Sequence, residues 1–429
     1  MTKVSIRARG CLGPFYSNNI SRMNISDRIC VTGIGVISPI GIGKEEFLLS
    51  LKSGKSGIVE IKEFDTHLSG SKKGGVIRSF HPKDFIPPSK IRRLDRASQF
   101  AIAASKLALA DARFTVAQEN CSRVGVVLGS GFCGLSSSEE FHRGQVLKGF
   151  LDLNPMVFPN TVPNAPSSYV SIELGIEGVN STLVQSFCTA EAAIFFACDQ
   201  IRKGRADLIL TGGVDELSEF LFRGFSELHL LATDGGNGER SRPYDKMRNG
   251  LILGEGAGLL VIENEEHAKS RAARIYGYLL GYSLVGKSLK GDGSEDLNRS
   301  IKMALMGREG APIDYLSGAG NSSRVLDALE AEGIKRTFPA QYLGIPVSST
   351  KSMTGEAIAS GGVRMVANIL SMENGFVPPT INYLHPDSGC DLHYVVNQRL
   401  DREVKTVLHL GISPENCFSS ILVGVEWNG

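Results

Sequence analysis

Short apolar runs rich in β-branched residues alternate with longer stretches of helical periodicity along this chain, which limits the folds it can adopt. Residues 124–128 and 207–213 are typical of buried strands that end at glycine. Residues 96–112 are rich in alanine, with apolar positions at helical spacing, which predicts a helix packed against a core. Strand and helix segments in alternation favour an α/β layered fold over separate strand and helix domains.

The composition indicates a globular chain and argues against two classes of partner. Of the 429 residues, 42% are hydrophobic and 21% are charged, which suffices for a large core and is untypical of disorder. A net charge of +1 gives no electrostatic reason to expect binding to nucleic acid or to a membrane surface. The chain also lacks an apolar run of the roughly 18 residues that span a bilayer, so no membrane segment is expected.

The eight cysteines include no Cys-x-x-Cys pair, and no histidines stand at zinc-ligand spacing. The sequence therefore predicts neither a metal site nor a disulfide framework, and no cofactor is expected. Free thiols are typical of a reducing compartment, and the first residues show no signal-peptide core, which favours a cytoplasmic location.

Several ordered sequence blocks, spread over most of the chain, carry a resemblance to a known family. They are residues 31–39, 92–96, 241–245, 253–258, 347–355 and 377–382. In this order they resemble the condensing-enzyme family, specifically β-ketoacyl carrier-protein synthases of the ketosynthase II type. The resemblance implies a thiolase-like α/β fold with five layers, αβαβα, built from two pseudo-repeated halves. We expect the first half at residues 27–270 and the second at residues 271–429.

Residues 1–26 precede the first of these blocks and show no sustained helical or strand period. We expect them to form a disordered N-terminal extension. Met23 lies where members of the family usually begin, so a mis-assigned start codon and a genuine docking tail both stay open as explanations.

The resemblance also implies which positions should carry the chemistry. In the family, an acyl group is transferred to a cysteine and then condensed with a malonyl group on a carrier protein, with the help of two histidines. Counting without gaps from Gly178 and from Gly204 places Phe187 at the nucleophile position. The first histidine position is Ala319 and the second is Glu356. Alanine exchanges no proton, and an ionised carboxylate only accepts hydrogen bonds, so it repels a developing enolate oxygen.

Cys188 follows the nucleophile position by one residue and is the remaining thiol to consider. One residue on a helix is a rotation of about 100°, so a helix that begins here would turn the Cys188 thiol away from the nucleophile's direction. The family's glycine-rich Phe-Gly-Phe-Gly-Gly segment is replaced at residues 410–418, which removes its flexible gate. We expect a packed, unreactive thiol; a condensing enzyme or malonyl decarboxylase that uses Cys188 is the alternative.

Glu255 and Lys351 keep the residue types that frame the site in active relatives, where they hold hydrogen bonds and ion pairs. We interpret both as a retained framework around a site that no longer reacts. Glu356 is close to Lys351 in sequence, and we expect the two side chains to pair.

Residues 134–142 match the region that reaches across the dimer interface towards the partner's acyl tunnel in condensing enzymes. Leu135, Ser138 and His142 stand at i, i+3 and i+7, so a helix places them on one face. We predict that these residues, together with Phe187, line the end of a substrate tunnel or the wall of a partner's pocket. Ordinary interface packing is the alternative for the helical face.

Within the family, the pattern is most similar to the chain-length factor, the ketosynthase β subunit of type II polyketide synthases. These subunits lack the cysteine and often show a run such as Gly318-Ala319-Gly320. Phe187 departs from the glutamine that many of them carry there.

The leading hypothesis is a non-catalytic subunit that forms a heterodimer with a catalytic ketosynthase. It would shape the tunnel in which a chain bound to an acyl carrier protein grows. An acyl-carrier scaffold without a tunnel is a third hypothesis. The sequence leaves open the product, its length, the identity of the partner, and whether the pathway makes an aromatic polyketide, an aryl polyene or a fatty acyl chain.

Overall fold

The computed structural model describes residues 28–149, 153–236, 238–289, 291–413 and 417–426. The extension expected at residues 1–26 lies outside these ranges, as do residues 414–416 of the segment that replaces the gate. The strands are β1 (Ile29–Ser38), β2 (Gly41–Ile42), β3 (Ile58–Glu60), β4 (Lys73–Gly75), β5 (Val124–Gly129), β6 (Asn180–Leu183), β7 (Leu208–Asp215), β8 (Gly256–Asn264), β9 (Gly277–Gly286), β10 (Tyr315–Ser317), β11 (Val347–Ser348), β12 (Phe376–Val377), β13 (Leu400–Asp401), β14 (Thr406–Ser413) and β15 (Cys417–Gly424). The α-helices are α1 (Lys44–Ser53), α2 (Pro88–Ile91), α3 (Arg96–Asp111), α4 (Leu135–Lys148), α5 (Ala165–Leu174), α6 (Thr189–Arg202), α7 (Glu219–Glu227), α8 (Glu265–Ser270), α9 (Gly293–Ala304), α10 (Arg324–Thr337), α11 (Lys351–Thr354) and α12 (Gly361–Asn374).

The main sheet consists of two halves that repeat one strand order. Neighbouring strands run β1-β8-β7-β5-β6 in the first half and β9-β15-β14-β10-β11 in the second. In both halves the first two pairings of that order are antiparallel and the last two are parallel. The halves meet where β1 pairs with β9, with Cys30 opposite Tyr278 and Val31 opposite Gly277. This repetition confirms the two pseudo-repeated halves.

Helices complete the layers on both sides of each half. α3 and α5 pack on the first half from outside, and α9 packs on the second, with α10 packed against α9. α6 and α12 lie between the halves, since each contacts strands of both. The order is therefore helix, sheet, helix, sheet, helix, which is the thiolase-like αβαβα arrangement expected from the sequence.

The strands of the main sheet are closely packed because helices cover both of their faces. β1, β7 and β15 are buried at every residue, as is usual for strands of this kind. α12 approaches β8 backbone to backbone, and a Cβ added to Gly258 would lie 2.2 Å from the Val363 amide nitrogen. Glycine at this position permits the close approach. The contact holds the start of α12, and the segment that leads into it, against the first half.

The elements predicted from the sequence are present: β5, β7 and α3 cover the two predicted strands and the predicted helix. α8 ends at Ser270 and β9 begins at Gly277. The assignment of separate domains that divide at residue 270 stays a prediction. Within the described ranges, no helix combines the length and the apolar character needed to cross a bilayer.

Candidate functional site

The turn before α6 sets the direction of the residue at the nucleophile position. A 3₁₀ turn at Ser186–Cys188 follows β6, and α6 begins only at Thr189. Ser186 has a φ of 48°, a left-handed conformation that is uncommon outside glycine. The Thr189 hydroxyl stabilises the turn by donating to the Leu183 carbonyl at 2.5 Å. The helix expected around the nucleophile position therefore begins at Thr189, and a tight 3₁₀ turn separates the directions of residues 187 and 188.

Phe187 packs into an apolar cluster of its own chain. Its ring meets the Phe225 ring edge-on, with the centroids 6.4 Å apart and the planes at 78°. The same cluster includes Leu135 of α4, Leu253 and Ile358. The structure thus brings together Phe187 and Leu135, which the sequence assigned to the same tunnel. Position 187 offers no atom that can be acylated.

Cys188 is enclosed beneath the turn. Its side chain has no exposed surface, and its Sγ donates to the Cys417 carbonyl at 3.4 Å. Burial raises the pKa of Cys188 well above the ordinary value, and the neighbouring Cys417 thiol and Glu191 carboxylate raise it further. A protonated, enclosed thiol is a poor nucleophile. The geometry therefore gives no support to a reaction at Cys188.

Ala319 and Glu356, at the two histidine positions, both contact Lys351. The Lys351 Nζ donates to the Ala319 carbonyl at 2.9 Å and to the Glu356 Oε2 at 2.6 Å. The expected pairing of Glu356 with Lys351 is present. On its other side the Ala319 amide donates to the Glu330 carboxylate at 2.5 Å. The structure therefore brings these two positions together through Lys351, and it adds Glu330, which sequence reasoning missed.

The Glu356 carboxylate makes its contacts within the chain. Oε2 also accepts from the Asn321 Nδ2 at 2.9 Å, and Oε1 accepts from the Ser360 hydroxyl at 2.7 Å. The side chains of Lys351 and Glu356 are 3% and 1% exposed. Because both groups have left water, this pair depends on its full set of hydrogen bonds. Both carboxylate oxygens of Glu356 are thus occupied by partners within the chain.

Glu255 frames the same region from the first half. Its Oε1 accepts from the Ile77 amide at 2.8 Å and from the Arg96 Nη2 at 2.6 Å, and its Oε2 accepts from the Arg96 Nε at 2.8 Å. Such a two-pronged guanidinium–carboxylate contact fixes geometry as well as charge. It joins the start of α3 to the segment that leads into β8.

Three of the four residues predicted to line a tunnel border one open groove, and Phe187 is not among its lining residues. Leu135, Ser138 and His142 lie along α4 beside a volume of about 560 Å³. The other lining residues are Glu139, Arg143, Val146 and Leu147 of α4 and Phe220 of α7. Val146 and Phe220 are 83% and 61% exposed. Clustered apolar side chains that face solvent are typical of a surface that another molecule covers.

A buried polar network that sequence reasoning missed lies behind the turn. The His409 ring contacts the Glu191 Oε1 through Nε2 at 2.8 Å and the Asn368 Nδ2 through Nδ1 at 3.1 Å. The Arg364 Nη1 lies 3.8 Å from the same Glu191 oxygen. Burial lowers the pKa of His409 to about 4, so the ring is neutral at neutral pH. Burial opposes ionisation of Glu191, but the His409 hydrogen bond and the Arg364 charge hold its pKa below the usual value.

The sequence did contain a signal for this network. His409 interrupts an apolar strand, and Arg364 and Asn368 stand four residues apart on a helix that is otherwise largely apolar. Polar residues inside such segments need partners when they are buried. Spacing along the chain does not show which groups pair, because the partners lie on three different secondary-structure elements.

The site as a whole has a framework but lacks a reactive group. Phe187 and Ala319 have no exchangeable side-chain proton, Glu356 is held by its ion pair, and Cys188 is enclosed. Among the residues that the structure describes, no three His, Cys, Asp or Glu side chains are grouped so as to hold a metal ion.

Comparison with known sequences identifies two family domains and many full-length relatives. The sequence model of the β-ketoacyl synthase N-terminal domain matches residues 26–268, and that of the C-terminal domain matches residues 284–384. A 3-oxoacyl-[acyl-carrier-protein] synthase 2 of Coxiella burnetii is 34% identical over 390 residues, which cover 89% of this chain and 94% of the relative. A synthase 2 of Staphylococcus aureus is 33% identical over 393 residues, with the same coverage of each chain.

Solved structures with similar folds include ketosynthases and ketosynthase complexes. The ishigamide ketosynthase/chain length factor matches with a TM-score of 0.87 and 28% identity, covering 93% of this chain and 99% of the other. The type II polyketide synthase complex AntDE:AntF, an acyl-carrier protein with its ketosynthase bound to the hexaketide, matches with a TM-score of 0.84, 28% identity and the same coverage. A β-ketoacyl synthase of Burkholderia phymatum matches with a TM-score of 0.85 and 26% identity, again over 93% of this chain and 99% of the other.

Proposed function

The chain belongs to the β-ketoacyl synthase family, and we propose that it is a non-catalytic subunit of the chain-length-factor type. It pairs with a catalytic ketosynthase and shapes the acyl tunnel in which a polyketide or polyene chain grows on an acyl carrier protein. The carbon–carbon bond forms on the partner, and this subunit contributes shape and stability.

The chemistry of three positions, taken together, supports a non-catalytic (silent) subunit. Phe187, Ala319 and Glu356 stand where the family needs a nucleophile and two bases. A single substitution is compatible with altered chemistry, because the remaining groups still contribute. Here the nucleophile and both bases are absent at once, and Lys351 is engaged by Glu356 at 2.6 Å.

The packing around position 187 supports the same conclusion. The rings of Phe187 and Phe225 are in contact, and in the same cluster Phe64 and Phe222 pack with centroids 5.4 Å apart. An acyl chain bound in this subunit would have to displace some of these side chains. Each displaced apolar side chain costs about 1.5–3 kcal/mol of lost burial. Binding of the growing acyl chain therefore costs less in a partner subunit than in the interior of this one.

The edge of the sheet supports pairing with a second subunit. Within the described residues, the strand at this end of the sheet is β6, which pairs with β5 alone. Its free side presents backbone amides and carbonyls, which a strand of another chain can satisfy. Val184, directly after β6, is 54% exposed. The edge strand and the groove along α4 together offer one partner both hydrogen bonds and apolar contact.

Two of the similar structures are complexes, and they suggest the partners. One pairs a ketosynthase with a chain length factor, and the other joins an acyl-carrier protein to a ketosynthase bound to the hexaketide. By analogy, we infer a catalytic ketosynthase as the stable partner and an acyl carrier protein as the transient one. The groove lined by Leu135, Ser138 and His142 then meets the end of the partner's tunnel.

An active condensing enzyme or decarboxylase is the second candidate, because the curated relatives are named 3-oxoacyl-[acyl-carrier-protein] synthase 2. It would need Cys188 as nucleophile. Cys188 is fully buried, its pKa is raised by burial, and its Sγ is directed to the Cys417 carbonyl. The contacts of this thiol favour the silent subunit.

An activity assay with the purified chain separates the two candidates. We expect no malonyl-carrier decarboxylation and no elongation by the chain alone, and the same null result for Cys188→Ala. Phe187→Cys should also stay inactive, because a restored thiol still lacks both bases. Turnover by the chain alone that disappears in Cys188→Ala would overturn the proposal. Co-purification with a cysteine-containing ketosynthase, and elongation only by the pair, would support it.

A further inference from the structure

Two consecutive carboxylates at the end of β7 bind backbone amides at and before the start of α4. Asp215 is the last residue of β7 and Glu216 follows it, and they are 1% and 3% exposed. The Asp215 Oδ1 accepts from the Gly131 amide at 2.9 Å and from the Phe132 amide at 3.0 Å. The Glu216 Oε1 accepts from the Ser136 amide at 3.2 Å, in the first turn of α4. These two carboxylates therefore hold the start of the helix that lines the groove.

The order of the sheet brings these groups together. β5 and β7 are parallel neighbours, with Gly129 opposite Gly213, so the segments that follow both strands leave the sheet at the same edge. The segment after β5 leads into α4, and Asp215 and Glu216 lie at the end of β7. Backbone amides that leave a sheet need new acceptors when they are buried. The two carboxylates supply these acceptors.

Asp215 also binds the segment that leads into α12. Its Oδ2 accepts from the Ala359 amide at 2.6 Å. A Cβ added to Gly131 would lie 2.2 Å from the Ile358 Cγ2, so glycine permits the turn before α4 to contact this segment. Burial raises the pKa of Asp215 to about 6, and the three backbone hydrogen bonds oppose that rise. The carboxylate is therefore ionised at neutral pH, and each of its oxygens accepts from a different segment.

α4 has few other contacts that fix its position in the chain alone. Gly134 stands at its N-cap and has no side chain that could accept from the first amides of the helix. All 14 residues of α4 lie within the described ranges, and among them Ser137 alone is buried. A helix without a buried apolar face gains little from packing, so the hydrogen bonds at its start contribute more to its position.

We propose that Asp215 and Glu216 are positioning residues that set product length through α4. Their role rests on the proposed function, because it concerns the groove that meets the partner's tunnel. Neither residue lines the groove, but together they fix the helix that carries Leu135, Ser138 and His142 against the segment before α12. When the start of α4 is released, the groove takes more than one width, and growing chains of several lengths fit beside it.

Hydrogen exchange measured by mass spectrometry tests the hold on α4, with the chain co-purified with its ketosynthase where one is needed. Glu216→Ala removes the acceptor of the Ser136 amide, so exchange in the first turn of α4 should become roughly fivefold faster, as expected for the loss of one hydrogen bond. Glu216→Gln keeps an accepting oxygen and should exchange like the wild type. Glu119→Ala removes an exposed glutamate of another loop and should leave α4 unchanged. Equal α4 exchange in Glu216→Ala and the wild type would overturn the positioning role.

The products of the same complexes test the effect on length. We expect the Glu216→Ala complex to turn over at nearly the wild-type rate but to give a broader range of lengths, with the share of the main product reduced about twofold or more. Glu216→Gln should restore the wild-type distribution, which a general loss of stability would not explain. An unchanged distribution from an intact, active Glu216→Ala complex with faster α4 exchange would overturn the role in product length.

Asp215→Asn tests the link between the two segments. The amide keeps one accepting oxygen and presents two donors on its other side, where a backbone N–H already points. Exchange should become faster either in the turn at residues 131–132 or at Ala359, and the products should again broaden. Where this variant does not fold, the Glu216 variants decide. A wild-type pair that makes no product would refute the proposed function and the role in product length together. Normal elongation by the wild-type pair, with unchanged α4 exchange in Glu216→Ala, would refute this inference alone.

Discussion

The site around Lys351 and the groove along α4 differ in where their side chains find partners. In the site, Lys351 and Glu356 are nearly inaccessible and bond to one another and to neighbours within the chain. In the groove, Val146 and Phe220 face solvent beside a volume of about 560 Å³. The polar groups of the site find their partners within the chain, whereas these apolar side chains of the groove remain exposed to solvent.

This difference indicates which region is available to bind another molecule. A site that has lost its reactive groups can be retained as packing, because its polar residues satisfy one another. A solvent-exposed apolar groove carries a solubility cost and persists where a partner covers it. The contrast is consistent with the proposed subunit, which acts by binding a partner at its surface and not by chemistry in its interior.

The largest expected effect tests whether another subunit covers the groove and the edge strand. We expect the chain expressed alone to aggregate or to form an unstable homodimer, and to become soluble on co-expression with the ketosynthase. Val184→Asp should raise the dissociation constant of the pair by roughly tenfold or more, because it buries an unpaired charge. Leu289→Asp, at an exposed position of the second half, should leave it unchanged. A monodisperse monomer whose melting temperature does not respond to the ketosynthase would contradict this.

The contribution of the buried Lys351–Glu356 pair can be measured as a change in the free energy of unfolding. Lys351→Met leaves Glu356 buried without its cation, and it should cost about 3–5 kcal/mol in the free energy of unfolding by urea. Adding Glu356→Gln to the same protein should recover most of that loss. Lys203→Met removes an exposed pair with Asp199 and should cost about 0–1 kcal/mol. Equal losses for the two single variants would mean that the buried pair contributes no more than a surface one.

The buried network predicts a smaller, pH-dependent effect. The pKa of His409 is lowered from 6.5 to about 4 in the folded chain, so between these values the unfolded chain binds the proton more strongly. Stability should therefore fall as the pH drops from 6.5 towards 4.5, with this histidine contributing up to about 1.4 kcal/mol per pH unit. His409→Asn should flatten that slope, and His142→Asn, at an exposed site, should not. Urea unfolding at a series of pH values measures both slopes, and identical slopes would refute the assignment.

The groove predicts the finest effect, a change in product length at nearly constant turnover. Ser138→Phe adds a ring several ångströms long, and each two-carbon unit of an extended chain takes up about 2.5 Å. Products should be shorter by one or two extension units because the ring fills part of the groove. Turnover should stay nearly constant, since the proposed function places the chemistry in the partner. Glu140→Phe adds the same ring about 200° around α4, outside the groove lining, and should leave the products unchanged. Mass spectrometry of products decides, and an unaltered distribution from an intact, active Ser138→Phe complex would assign the face to packing.

Much of the fold and part of the site could be predicted from the sequence. The predicted strands and helix follow from local periodicity, and the layered arrangement from the family resemblance. The pairing of Glu356 with Lys351 was expected because the two residues are five apart along one short segment. The helical face of Leu135, Ser138 and His142 follows from spacing alone.

What the sequence did not predict depends on contacts between distant segments. Cys188 and Cys417 are separated by 229 positions, and His409 and Glu191 by 218, so no local pattern relates them. The late start of α6 depends on the Thr189 hydroxyl bonding back to Leu183. Such side-chain bonds to the backbone compete with helix formation in a way that residue spacing does not show.

The order of synthesis on the ribosome gives β6 a further significance. All five strands of the first half are complete at Asn264, whereas the second half begins its strands at Gly277 and ends them at Gly424. At ordinary rates of translation, those later strands take roughly 7 to 30 seconds to emerge. The edge strand β6 is thus available to a partner, which we propose is a ketosynthase made nearby, before synthesis of its own chain is finished. A subunit of this kind gains from being translated beside its partner, because early capture of the edge competes directly with chaperones and with aggregation.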